Sequence, residues 1–195
     1  MSGAHDLDPA AYVTESSDLR YRGLHADVRV DTVRMPDGDS AEREVVEQRD
    51  AVAVVALTPT DEVVLVRQYR HPFRDVQVEI PAGKLDDGEQ PEPAMQRELV
   101  EEVQLEAGSL QLLTIIRNSA GWTDEVTHLY LGTDLRERTP PEEFVAEAEE
   151  AAMQVLRLPL ADAVAQVLDG SITDAKTVIG LLFVAALRSP AEGRK

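Results

Sequence analysis

Apolar and polar positions along this chain fall into short alternating runs punctuated by turn residues, with helical spacing confined to one central and two terminal stretches. LHADVRVDTVRM (24–35) and AEREVVEQ (41–48) flank Pro36-Asp37-Gly38-Asp39, which predicts a β-hairpin over about 24–48. AVAVVAL (51–57) and EVVLVRQYR (62–70) flank Thr58-Pro59-Thr60-Asp61 in the same way. A short alternating strand, Val76 to Ile80, stops at Pro81-Ala82-Gly83. After a glycine-containing loop, a helix is predicted over about Glu92 to Val103, with Pro93 tolerated in its first turn. Further strands are expected at about 110–117 and 126–132, an acidic loop from Glu137 to Glu150, and a strand in MQVLRLPL. Two helices follow: Leu160 to Leu168, ended at Asp169-Gly170, and about Asp174 to Leu187, capped by Ser171 or Thr173. Residues 1–18 are polar and patternless and are expected to fray. Strands around one central helix, with helices at the end, define an α/β (α+β) class: a mixed β-sheet sandwiched between helices, preceded by the hairpin. The division falls between an N-terminal extension with its hairpin (1–48) and a main domain (49–195).

Composition changes this picture in three places. Aromatics are only 4 % of residues, so Val, Leu, Ala and Ile must fill the core. With no cysteine, disulfides, zinc-thiolate sites and cysteine nucleophiles are excluded. The net charge of -18, from 37 acids against 19 bases, repels phosphate backbones and anionic lipid, so nucleic-acid polymers and membranes are not expected partners. Solubility alone would account for the charge equally well. Handling an anionic substrate would nonetheless require cations at the site. The N-terminus lacks the basic start and apolar core of a signal peptide, and the apolar run Thr177 to Leu187 is too short to span a bilayer. A cytoplasmic protein is expected.

The candidate chemistry lies in Gly83-Lys84-Leu85-Asp86-Asp87-Gly88-Glu89, then seven residues, then Arg97-Glu98-Leu99-Val100-Glu101-Glu102. Glu98, Glu101 and Glu102 fall at i, i+3 and i+4 of the predicted helix and share one face. Like charges so placed repel unless a cation sits between them. Hard oxygen donors on a rigid helix suit Mg²⁺ or Mn²⁺. A solvated acidic helix face would leave the same three glutamates. The histidines His5, His25, His71 and His128 show no metal spacing, and neither a nucleophile elbow nor a Walker-type loop occurs.

The spacing from Gly83 through Glu89 to Arg97-Glu98-Leu99-x-Glu101-Glu102, followed by Leu105, closely resembles the box of the Nudix hydrolases. Arg67-Gln68-Tyr69-Arg70, Glu79-Ile80-Pro81-Ala82-Gly83 and Gly121-Trp122-Thr123-Asp124-Glu125 are similar to the ADP-ribose pyrophosphatase branch, and the resemblance runs over about residues 20–188. It implies metal ligation by Glu98, Glu102 and the Ala82 carbonyl, with Glu101 as a further ligand or supporting group. Arg97 would pair with Glu89 and tie loop to helix. A glutamate of the acidic loop would direct the attacking water; Glu150 is the best match, with Glu149 and Glu147 as rivals. Arg67 and Arg70 resemble the arginines that hold phosphates or distal ribose, and Glu79 a substrate contact. The implied reaction is Mg²⁺- or Mn²⁺-dependent hydrolysis of a small nucleotide, ADP-ribose to AMP and ribose 5-phosphate. The alternatives are GDP-mannose, NADH or another nucleoside diphosphate derivative, or a catalytically weak nucleotide sensor. A homodimer joined by N-terminal strands is also implied.

Two positions depart from the family pattern. Gln104 replaces the box glycine where the helix ends, and Ala120 stands where a proline is usual. The base-stacking aromatic is open among Tyr21, Tyr69 and Trp122.

Overall fold

The computed structural model describes residues 8–142, 144 and 152–188, which cluster into two compact units. The smaller comprises the N-terminal residues through Arg49 together with Ser119–Glu125. It is built on an antiparallel sheet of β1 (Val13–Arg22), β2 (Ala26–Arg34) and β3 (Ser40–Gln48) in that order. The β2–β3 hairpin closes where expected, with the Met35 N–H donating to the Asp39 carbonyl at 2.7 Å. Residues 119–125 join β3, as the Val46 N–H donates to the Trp122 carbonyl at 2.9 Å and the Thr123 hydroxyl to the Val46 carbonyl at 2.7 Å. β1 corrects the expectation of a frayed start through residue 18. All ten of its residues are exposed, so it has no one-sided burial to write an alternation into its sequence.

The larger unit carries a seven-stranded sheet in the order β10-β5-β4-β9-β8, with β6 added on β5 and β7 on β4. Its strands are β4 (Ala51–Leu57), β5 (Glu62–Arg70), β6 (Asp75–Glu79), β7 (Ala82–Lys84), β8 (Leu105–Arg117), β9 (Val126–Glu137) and β10 (Gln154–Pro159). β4 and β9 run parallel; the other pairs are antiparallel. Helix α1 (Pro91–Val103) covers one face, packing Ala94, Met95, Leu99 and Val103 on Val52, Val54, Val64 and Val66. Helices α2 (Leu160–Leu168) and α3 (Ala175–Arg188) cover the other, packing Leu160, Ala163, Leu181 and Val184 on Ala53, Val55, Val63 and Leu65. Central strand β4 is therefore buried on both sides, which is why AVAVVAL is apolar at every position. α3 comes close to that strand because Gly180 faces it: a Cβ there would lie 2.8 Å from Val55 Cγ2.

Candidate active site

Helix α1 places its glutamates by its buried face. Glu98 is 7 % exposed, next to Leu99 and one turn after Met95 in the core, and its carboxylate lies against Gly83. A Cβ at that glycine would stand 2.0 Å from Glu98 Cδ, so the middle residue of β7 must carry no side chain. Glu102, one turn on, is half-buried, and the Ala82 N–H donates to its Oε2 at 2.9 Å. Burial pushes the Glu102 carboxyl up to about 8 against the Ala82 N–H; the neighbouring Glu98 adds to the rise, and Lys176 and Arg70 oppose it.

Arg97 binds loop to helix. Its Nε and Nη2 donate to the two oxygens of Glu89 at 3.0 and 2.8 Å, and Nη2 also reaches the Lys84 carbonyl at 3.0 Å. Its Nη1 donates to Glu98 Oε1 at 2.8 Å and to Glu101 Oε2 at 3.0 Å. Those bonds, Glu89 foremost, raise the guanidinium pKa above its ordinary value, and the Arg97 pair holds Glu89 below its own. The loop end of α1 is thus neutralised from within, whereas the Glu98–Glu102 end gathers two buried carboxyl groups. α1 closes on Gln104, left-handed at φ 55°, ψ 39°, whose N–H donates to the Val100 carbonyl at 3.1 Å. The box glycine's backbone conformation is kept without the glycine.

A second cluster flanks this pair. Arg70, at the end of β5, donates through Nε and Nη2 to Glu79 at 2.6 and 2.7 Å. Glu79 is 2 % exposed and takes a further bond from Lys176 Nζ of α3. Desolvation works to raise the Glu79 carboxyl, but Arg70 and Lys176 together hold it below the ordinary carboxylate range. Arg70, Phe73, Gln77, Glu79, Thr173 and Lys176 contribute to the lining of a cavity of about 630 Å³. Arg67 does not join them. Three positions from Arg70 on a strand, it projects to the opposite face and is exposed.

Lys176 and its partner Asp174 escaped the sequence reading. The signal was present but assigned elsewhere: Asp174, not Ser171 or Thr173, caps α3, accepting from the Thr177 N–H at 3.0 Å. Glu147, Glu149 and Glu150 lie outside the described residues. Tyr21, Tyr69 and Trp122 are all exposed, so none of the three is spent on the core, and Phe73 beside the Arg70 cavity is exposed too.

Among the described residues no three His, Asp or Glu side chains converge as a metal cage. The donors instead fit a cation that takes few protein ligands: two adjoining carboxyls, one of them pushed up to about 8 by burial, beside the Ala82 backbone. Mg²⁺-type ions complete such a shell with water and phosphate oxygens.

The site is thus a mixed sheet between helices, with paired carboxyls on the helix that follows a glycine-bearing strand. The NUDIX domain matches residues 47–178, and the chain belongs to that family. It is a Nudix hydrolase, and such enzymes generally use divalent metals. It is 41 % identical over 184 residues to the ADP-ribose pyrophosphatase of Mycobacterium tuberculosis, covering 94 % of this chain and 85 % of that one. It is 35 % identical over 171 residues to the ADP-ribose pyrophosphatase of Bacillus subtilis, covering 88 % and 91 %. A crystal structure of an ADP compounds hydrolase shares the fold at a TM-score of 0.78, with 21 % identity over 90 % of this chain and 93 % of that one.

Proposed function

We propose that this chain hydrolyses ADP-ribose to AMP and ribose 5-phosphate with Mg²⁺ or Mn²⁺. The observation that carries the reading is the Glu98–Glu102 pair beside the Ala82 backbone, with burial pushing Glu102 up to about 8. Likeness to two ADP-ribose pyrophosphatases supports the substrate. Glu98, Glu102 and the Ala82 carbonyl would hold the metal, whose charge offsets that developing on the pyrophosphate oxygens. Arg97 and Glu101 keep the carboxylates oriented through the bonds described above. Arg70, steadied by Glu79, takes a substrate phosphate. Water attacks one phosphorus, the bond from that phosphorus to the bridging oxygen breaks, and the water's proton passes to a loop carboxylate, Glu150 by choice.

The deciding experiment is phosphate release from a nucleotide panel after phosphatase treatment, with and without Mg²⁺. ADP-ribose should lead, and only with metal. A preference for GDP-mannose or NADH sinks the substrate reading, and binding without turnover in both conditions makes the chain a sensor.

The same reading has the N-terminal unit, residues 1–48, serve dimerisation in a cytoplasmic homodimer; Leu19, Tyr21 and Leu24, exposed on β1 and the turn after it, support this. A monomer mass by light scattering at micromolar concentration would reject it. Among the described residues no helix is long and apolar enough to cross a membrane.

A further inference from the structure

The first turn of α3 meets the segment that forms the site from behind, and at two consecutive residues. Asp174 is its hub. One of its oxygens, Oδ2, accepts from the Thr177 N–H at 3.0 Å and from the Thr177 hydroxyl at 2.6 Å; the other, Oδ1, accepts from Lys176 Nζ at 2.9 Å. Both partners then reach forward. Lys176 Nζ donates to Glu79, and Thr177 Oγ1 accepts from the Ile80 N–H at 2.9 Å. Thr177 is fully buried, so a 2.9 Å bond to a main-chain N–H there is a fixed joint with no water to replace it.

What lies just past that joint gives it consequence. The Pro81 carbonyl accepts from the Val54 N–H at 3.0 Å, the Ala82 N–H donates to Glu102, and Gly83 carries the Glu98 carboxylate against its α-carbon. Pro81, the single residue between Ile80 and Ala82, stiffens that link. α3 lies close against this segment, since a Cβ on Gly180 would meet Val55 Cγ2 at 2.8 Å and Ile80 Cδ1 at 3.3 Å. On the other side of the joint, Glu79 carries Arg70 on both its oxygens.

We propose that the Asp174–Thr177 turn is the positioning element of the hydrolytic site: through Thr177 it places the Ala82 backbone and Glu102, and through Lys176 it places Arg70. Neither side chain need touch substrate. The proposal rests on the roles given above to Glu102 and Arg70, and it predicts that the two arms fail differently. Thr177→Val should weaken Mn²⁺ binding, read by electron paramagnetic resonance without substrate, by about 10- to 100-fold, as for other groups that orient metal ligands. It should also speed amide exchange at Ile80 and Ala82 while β4 and β5 stay protected. Thr177→Ser, which keeps the hydroxyl, should restore both. Lys176→Met should instead raise KM for ADP-ribose about 10-fold with amide exchange at Ile80 unchanged, because it loosens Arg70 and not the Thr177 joint.

Wild-type Mn²⁺ affinity and Ile80 exchange in Thr177→Val would overturn the proposal. So would faster exchange throughout β4 and β5, which marks general loosening, or faster Ile80 exchange in both variants. If the wild-type enzyme binds Mn²⁺ but does not turn over ADP-ribose, the substrate reading alone falls. The Mn²⁺ and exchange arms then still decide the positioning role.

Discussion

Glu79 and Glu102 are both buried carboxyls beside the same site, and their surroundings drive them in opposite directions. Glu79 meets Arg70 and Lys176 and is held below the ordinary carboxylate range; Glu102 meets one N–H and another glutamate and is pushed up to about 8. Desolvation works against ionisation in both and is the largest single influence on each. Burial therefore does not separate them; the partners do. A carboxylate hydrogen-bonded by two cations is held ionised, whereas one that the same two cations reach only from a distance is not.

The largest effect that would sharpen this contrast is at the metal end. Glu98→Gln or Glu102→Gln should cut kcat by several orders of magnitude and flatten its dependence on Mg²⁺ concentration, since each removes charge from the cation's shell. Steady-state rates across a metal titration check it; wild-type metal dependence in either variant would break the assignment.

The same two carboxyls should leave opposite marks on stability in EDTA. Glu102 has its folded pKa raised, so its contribution is fully present below the ordinary carboxyl value and is lost as pH rises from about 4.5 to about 8. Glu79 has its folded pKa lowered, so its contribution is present above about 4.5 and is lost as pH falls through the lower folded value. Melting temperatures measured against pH should lose the upper slope in Glu102→Gln and keep it in Glu79→Gln. Glu79→Gln itself should cost on the order of 2 kcal/mol in denaturant melts. It leaves Lys176 and Arg70 underpaired, and the partial exposure of Arg70 keeps the loss below that of a fully buried pair.

The third effect concerns the loop acid. Glu150→Gln should lower kcat on the order of 10²-fold at saturating Mg²⁺, with KM and metal affinity unchanged, as for a general base that acts only in the transition state. A wild-type kcat would move the base to Glu149 or Glu147. The smallest effect is the control. Gln104→Gly relieves a side chain at φ 55° without touching either carboxyl, and should raise the melting temperature by about 2–4 °C, equivalent to about 1 kcal/mol, at unchanged kcat.

How much of this was legible in the sequence follows from what leaves a period. α1 and α2 were readable because each buries one stripe, and β4–β5 because a central hairpin between two layers is apolar almost throughout. β1 was missed because a strand with all of its residues exposed has no pattern to show. Within the site, the box spacing located Arg97, Glu89, Glu98, Glu101 and Glu102 on one helix and its loop. Arg67 and Arg70 looked alike in RQYR, but strand parity sends them to opposite faces. Lys176 was invisible for another reason: nothing in a lone lysine near a helix start announces a carboxylate that lies 97 residues away.

By itself, then, the sequence determined which residues could share a face, because α and β periods are local properties of the backbone. It also placed Gln104 at the end of the box helix, although its left-handed conformation is seen only in the structure. Only the tertiary structure decided the charge of each buried carboxyl. A pKa depends on through-space neighbours, and those of Glu79 and Glu102 arrive from β5, β7 and α3, elements far apart along the chain and brought within hydrogen-bonding distance only by the packing of two helical layers on one sheet.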